Sequence, residues 1–195
     1  MSTSDKSQDV ELRRRFKQFN KFMLMLWRLG LGKWVNGLPD VGGRIMVITH
    51  TGRKSGKTYR TPVNYAEIDG DVYCQAGVGS QADWYLNVKA NPAVQIWLPD
   101  GWWAGRAEEL TDERARLPLL RQVLINSGKA APALGIFPDT MPDEELEQAV
   151  GDARLFRIRK TEARTGADGP GDLAWVWPLA TLLLLLATLF RRRRR

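Results

Sequence analysis

The chain has 195 residues, 44% of them hydrophobic and 9% aromatic, enough for one domain with a sizeable core. Its formal charge of +7 points at first to a polyanionic partner, but Arg191–Arg195 carry five of those charges, so the body is nearly neutral and no nucleic-acid binding is expected. A single cysteine excludes an intrachain disulfide and a single histidine excludes a multi-histidine metal centre; no metal site is expected, and demanding chemistry falls to a cofactor.

In chain order, Phe16–Trp34 predicts an amphipathic helix, with Phe16, Phe19, Phe22, Met23, Leu26, Trp27 and Leu29 at helical spacing and Arg13–Arg15, Lys17 and Lys21 beside them. Such a helix packs on its own domain or touches a membrane surface. After the Gly- and Pro-punctuated stretch Asn36–Gly43, short apolar runs predict strands at RIMVITH, TYRTPVNYAEI, DVYCQAGV, AVQIWLP and WWAGRAEEL, with tight hairpins at Asp69-Gly70 and Asp100-Gly101. Cys74 lies among strand-like apolar residues, as a buried inert thiol does. Ala82–Pro92 reads as a helix stopped by its proline. Thr111 is the expected N-cap of the helix that follows, Asp143 that of the next, and Arg154–Thr161 the closing strand.

Hairpin-joined strands with inserted helices predict an α+β fold, mainly a small antiparallel β-barrel, rather than a doubly wound sheet. The expected organisation is an N-terminal helix and linker over 1–42, a barrel over 43–160, a flexible linker over 161–172, a membrane helix over 173–190 and a basic tail over 191–195. The membrane assignment rests on the uncharged run Leu173–Phe190, at 1.5 Å per residue close to a hydrocarbon thickness of about 30 Å, with Trp175 and Trp177 as interfacial anchors. It implies a cell-membrane protein with a single C-terminal segment and the catalytic domain on the cytoplasmic side.

The stretch GRKSGKT, Gly52–Thr58, nearly matches the nucleotide-binding loop G-x-x-x-x-G-K-[ST], but Thr51 stands where the first glycine is required, and β-rich sequence with Pro62 follows where a helix should open. A phosphate-transferring NTPase is therefore excluded. The loop keeps anion-binding chemistry, since glycines let successive N–H groups converge and Arg53, Lys54, Lys57 and Arg60 add cations; a solvated hairpin tip has the same composition.

TGRKSGKTYRTPVNY, followed by GSQADWYLNVKANPAVQI, resembles the deazaflavin-dependent nitroreductase and quinone reductase family, whose members are split β-barrels that bind coenzyme F420. The resemblance implies that Arg53, Lys54, Ser55 and Gly56 hold the cofactor's phosphate and oligoglutamate tail, with Arg60 as a further cation. It implies that Pro62, Val63 and Asn64 face the ring, that Ala76, Gly77, Gly79 and Ser80 cross its other side, and that Trp84 and Asn87 close the pocket. The chain departs from the family pattern in two places. Tyr59 occupies the usual arginine position, so that the basic side chain moves to Arg60 on the other strand face, and no tyrosine occurs in Asn126–Met141, which argues against nitro-aromatic activation. The implied activity is hydride transfer from reduced F420 to a small, flat, electron-poor acceptor, a quinone above all, with Tyr65, Ser80 or water as the proton source. FMN as the cofactor, a non-catalytic carrier of deazaflavin, FMN or haem, and a homodimer are compatible with the same residues.

Overall fold

The computed structural model describes residues 17–193 except Val78. Phe16, Arg13–Arg15 and the last two arginines lie outside the described residues. Six strands form a closed antiparallel barrel: β1 (Ile45–Thr51), β2 (Thr58–Ile68), β3 (Asp71–Ala76), β4 (Ala93–Leu98), β5 (Gly101–Glu109) and β6 (Arg154–Ala163), in the spatial order β1-β2-β3-β6-β5-β4. All of the expected strands are present. The β2–β3 turn has Asp69 and Gly70 at φ of 52° and 84°, the left-handed pair that a two-residue hairpin twisted like its strands requires. At the other predicted hairpin the turn lies one residue earlier: Gly101 already pairs with Leu98, so Pro99 and Asp100 make the bend.

Period-two alternation sends Met46, Ile48, Val63, Tyr65, Val72, Cys74, Ile96 and Ile158 into the barrel. The outer faces are covered by helices. The first, α1, runs over 17–28 and buries Met23 and Trp27 against Ile45, Val47 and Trp97, whereas Phe19 and Phe22 face outward. It ends in a Schellman cap, in which the Leu31 N–H donates to the Leu26 carbonyl and that of Gly30, at φ 79°, to Trp27. Two short helices follow, α2 (Gly32–Val35) and α3 (Pro39–Gly42). The helix α4 (Asp83–Ala90) packs Tyr85 and Val88 onto the barrel core. On the far side, α5 (Glu113–Ile125) and α6 (Asp143–Val150) cover Ala66, Tyr73 and Leu155. The cap of α5 is Asp112 rather than Thr111, its side chain accepting from the Arg114 N–H, and that of α6 is Pro142, with Asp143 in the first turn.

The segment after β6, flexible by composition, is tied down. Arg164 N–H donates to the Trp102 carbonyl, Gly171 N–H to Trp27 and Leu173 N–H to Arg28. The Arg28 guanidinium clamps the Asp172 carboxylate through Nε and Nη2 at 2.8–3.1 Å. This docking corrects the membrane assignment. Leu173–Trp175 are used in a turn against α1, and Trp177 Nε1 donates to the Leu29 carbonyl, so the final helix α7 begins only at Val176 and ends in arginines at Arg193. Its apolar part, 176–190, is roughly 22 Å long at 1.5 Å per residue, well short of a hydrocarbon core of about 30 Å. Among the described residues no helix is long and apolar enough to cross a membrane. The expected membrane helix, membrane partner and membrane localisation are overturned with it.

Candidate functional site

The Gly52–Lys57 loop is the tip of the β1–β2 hairpin, not the start of a helix. Gly56 sits at φ 65° and its N–H donates to the Gly52 carbonyl, while the Gly52 N–H donates back to the Lys57 carbonyl. Gly52 must lack a side chain, because a Cβ would lie 2.5 Å from the Tyr59 ring and 2.8 Å from Ser55 Oγ. Between this tip and α4 lies a cavity of about 370 Å³ lined by His50, Arg53, Lys54, Ser55, Tyr59, Arg60, Thr61, Trp84 and Asn87.

A polar chain forms its floor. Arg53 donates from its backbone N–H (3.1 Å) and Nη1 (2.9 Å) to Asn87 Oδ1, and its guanidinium reaches the Asp83 carboxylate at 3.2 Å. Asn87 Nδ2 lies 3.4 Å from His50 Nδ1, and His50 Nε2 lies 3.1 Å from Thr61 Oγ1. His50 is only 3% exposed and stacks on Tyr59 with centroids 6.0 Å apart. Burial pushes the imidazole pKa down to about 4, so the ring is neutral at pH 7.

Strand alternation separates Arg60 from its neighbours. Tyr59 joins His50, while the Arg60 guanidinium stacks on Trp97 at 5.0 Å and donates from Nη2 to the Asp168 carbonyl at 2.8 Å. Arg60 thus bridges this cavity to a second one of about 600 Å³, lined also by Thr49, Gln95, Trp102 and Arg164 on the outer barrel face.

Of the residues expected in the site, Arg53, Lys54, Ser55, Arg60, Trp84 and Asn87 meet at the cavity, with Gly56 in the same turn. The others stand elsewhere. Val63, Tyr65 and Ala76 point into the core, where burial pushes the Tyr65 phenol up to about 12. Pro62 and Asn64 lie on the opposite face of β2, and Asn64 Nδ2 donates to the Arg44 carbonyl. Ser80 follows Gly77 and Gly79 in the β3–α4 connection, where its N–H and hydroxyl both bind the Asp152 carboxylate at 2.9 and 2.8 Å and hold that group down to about 2. His50, Gly52, Tyr59, Thr61 and Asp83 line the cavity without having been singled out. Alternation from Tyr59 would have added Thr61, and the β1–β2 pairing then brings in His50 opposite.

The site is thus a cavity at a hairpin tip of a small antiparallel barrel, with the cationic side chains of Arg53, Lys54 and Arg60 on its lining. A family model described as F420H(2)-dependent quinone reductase matches residues 27–129, more than half of the chain. The chain belongs to that family, and it is accordingly an F420H2-dependent oxidoreductase. It is also similar to a solved F420-H2 dependent reductase, FDR-A, with 26% identity over 60% of this chain and 94% of the other, TM-score 0.43. A conserved hypothetical protein from Mycobacterium tuberculosis, Rv2991, shows 18% identity over 71% and 91%, TM-score 0.44. HutZ, the heme storage protein from Vibrio cholerae, shows 11% identity over 67% and 87%, TM-score 0.44.

Proposed function

We propose that the cavity at the β1–β2 tip holds the anionic portion of F420 and that the acceptor is a quinone. What supports the acceptor is the family description, together with the absence of tyrosines in Asn126–Met141. The observation that carries the cofactor site is the donor set. Lys54 and Lys57 have no carboxylate partner among the described residues, and Arg53 is held at the rim by Asn87 and Asp83 with its Nε–H unused. The Lys54 ammonium on the cavity lining beside a preorganised guanidinium, with Lys57 further along the same turn, fits a phosphate or carboxylate far better than a neutral ligand.

When bound, reduced F420 supplies a hydride from its deazaflavin ring. The protein's part is to bind, align and exclude. Arg53, Lys54, Ser55 and Gly56 take the charged end, and Arg60 takes what extends past Tyr59. Trp84 walls the cavity, while the side chains of Val63 and Ala76 are held in the core and those of Pro62 and Asn64 on the opposite face of β2, so none of these four lines it. Water supplies the proton, because Tyr65 is sealed in the core and the Ser80 hydroxyl is spent on Asp152.

The test is a titration of the full chain with oxidised F420 and separately with FMN, followed by absorbance of reduced F420 on adding a quinone. Binding of F420 over FMN with quinone-dependent reoxidation is expected, and Arg53→Gln with Lys54→Gln should abolish the binding. Equal affinity for FMN, or reoxidation no faster than without protein, would refute the proposal.

A further inference from the structure

The polar chain under the cavity runs in one direction only. An arginine donates and never accepts, so both Arg53 contacts at 2.9 and 3.1 Å identify the Asn87 atom they meet as its carbonyl oxygen. The amide nitrogen of Asn87 must therefore face His50 Nδ1, 3.4 Å away. An amide NH2 has no acceptor capacity, so Nδ1 carries the lone pair and the ring proton sits on Nε2. Nε2–H then donates to Thr61 Oγ1 at 3.1 Å, and that oxygen becomes an acceptor within the chain. The Thr61 proton has to leave in another direction, and Thr61 lines the cavity.

We infer that the Thr61 hydroxyl serves as a donor into the cavity, one of its two lone pairs being taken by His50 under a polarity set from Arg53 through Asn87, and that the site favours a ligand placing a carbonyl or phosphoryl oxygen against it. Asn87 and His50 are positioning residues; Thr61 is the group that touches ligand. A hydroxyl with both lone pairs free could serve donor or acceptor equally, whereas this one has one lone pair taken by His50 and keeps its proton for the cavity, which favours an acceptor oxygen over an N–H at that point. Asn87 also couples the anion grip to the donor, since the atom that orients Arg53 belongs to the amide that orients His50. The inference rests on the proposed function only for the identity of the ligand.

The presence of a single histidine makes the test direct. Nitrogen NMR of the full chain labelled in histidine reads one imidazole, and fluorescence titration with F420 reads affinity in the wild type, Thr61→Val and Thr61→Ser. An unprotonated Nδ1 with a protonated Nε2 is expected at neutral pH, with F420 bound roughly tenfold more weakly by Thr61→Val and almost unchanged by Thr61→Ser. A proton on Nδ1, or Thr61→Val binding like the wild type, overturns the relay. A wild-type chain that fails to bind F420 overturns the function reading instead; inorganic phosphate then replaces F420 in the same three proteins, and equal phosphate affinity in Thr61→Val and wild type overturns the relay.

Discussion

Replacing Asn87 by leucine should test how far the site and the fold depend on one buried amide. Asn87 is 7% exposed, branched at Cγ as leucine is, and its two ends satisfy three donors or acceptors: the Arg53 N–H, Arg53 Nη1 and His50 Nδ1. A charge-assisted bond contributes about 1.5–3 kcal/mol and a buried N–H left unpaired costs about 1–3 kcal/mol. The 3.4 Å contact to His50 adds little, and Arg53 keeps Asp83, so the net loss should be about 2–4 kcal/mol. With an m-value of about 2 kcal/mol per molar, the urea midpoint should fall by roughly 1–2 M while m stays constant. F420 affinity should fall in parallel, because Arg53 loses the acceptor that aims it. Asn87→Asp retains an acceptor for Arg53 but sets a carboxylate against Nδ1, and should raise the His50 pKa from about 4, read by the same single-histidine NMR. A loss below about 1 kcal/mol for the leucine variant, or an unmoved His50 in the aspartate variant, would refute the hydrogen-bond assignment.

Four further outcomes follow from the packing. His50 titrates near 4 in the folded chain against 6.5 when free, so between those values the unfolded chain binds more protons; stability should fall as pH drops from 6.5 to 4, by at most about 3 kcal/mol, and His50→Gln should remove that slope in urea melts. The Cys74 thiol, wholly buried and pushed up to about 12, should react with a thiol reagent only at the rate of unfolding, and fast labelling under native conditions would contradict its place in the barrel. Trp27→Ala empties the contact between α1 and Val47 and should cost about 3–5 kcal/mol in denaturant melts. Asp172→Asn breaks the partly exposed Arg28 clamp and should cost no more than about 1 kcal/mol while speeding hydrogen exchange at the Gly171 and Leu173 amides, with the barrel amides unchanged.

Local chemistry made much of this protein legible from its sequence. A strand alternates with period two whatever surrounds it, so the barrel runs, the opposite facing of Tyr59 and Arg60, and the Asp69-Gly70 turn could be read from neighbours a few residues apart. The departure of Thr51 from the phosphate-loop pattern was equally local, and it separated a hairpin tip from a helix start. Contacts between distant residues carried no such signal. His50 and Asn87 are 37 positions apart, and only barrel closure with α4 seated on its mouth makes them neighbours, which is how a lone histidine becomes part of a directional relay. Val63 and Ala76, themselves expected to contact the ligand, are turned into the core by the register of their strands. The end of the chain shows the same division most plainly. Hydropathy counts apolar residues from Leu173, but the helix begins where the backbone is released from α1, at Val176, and that start is set by Gly171, Leu173 and Trp177 bonding to residues about 145 positions earlier.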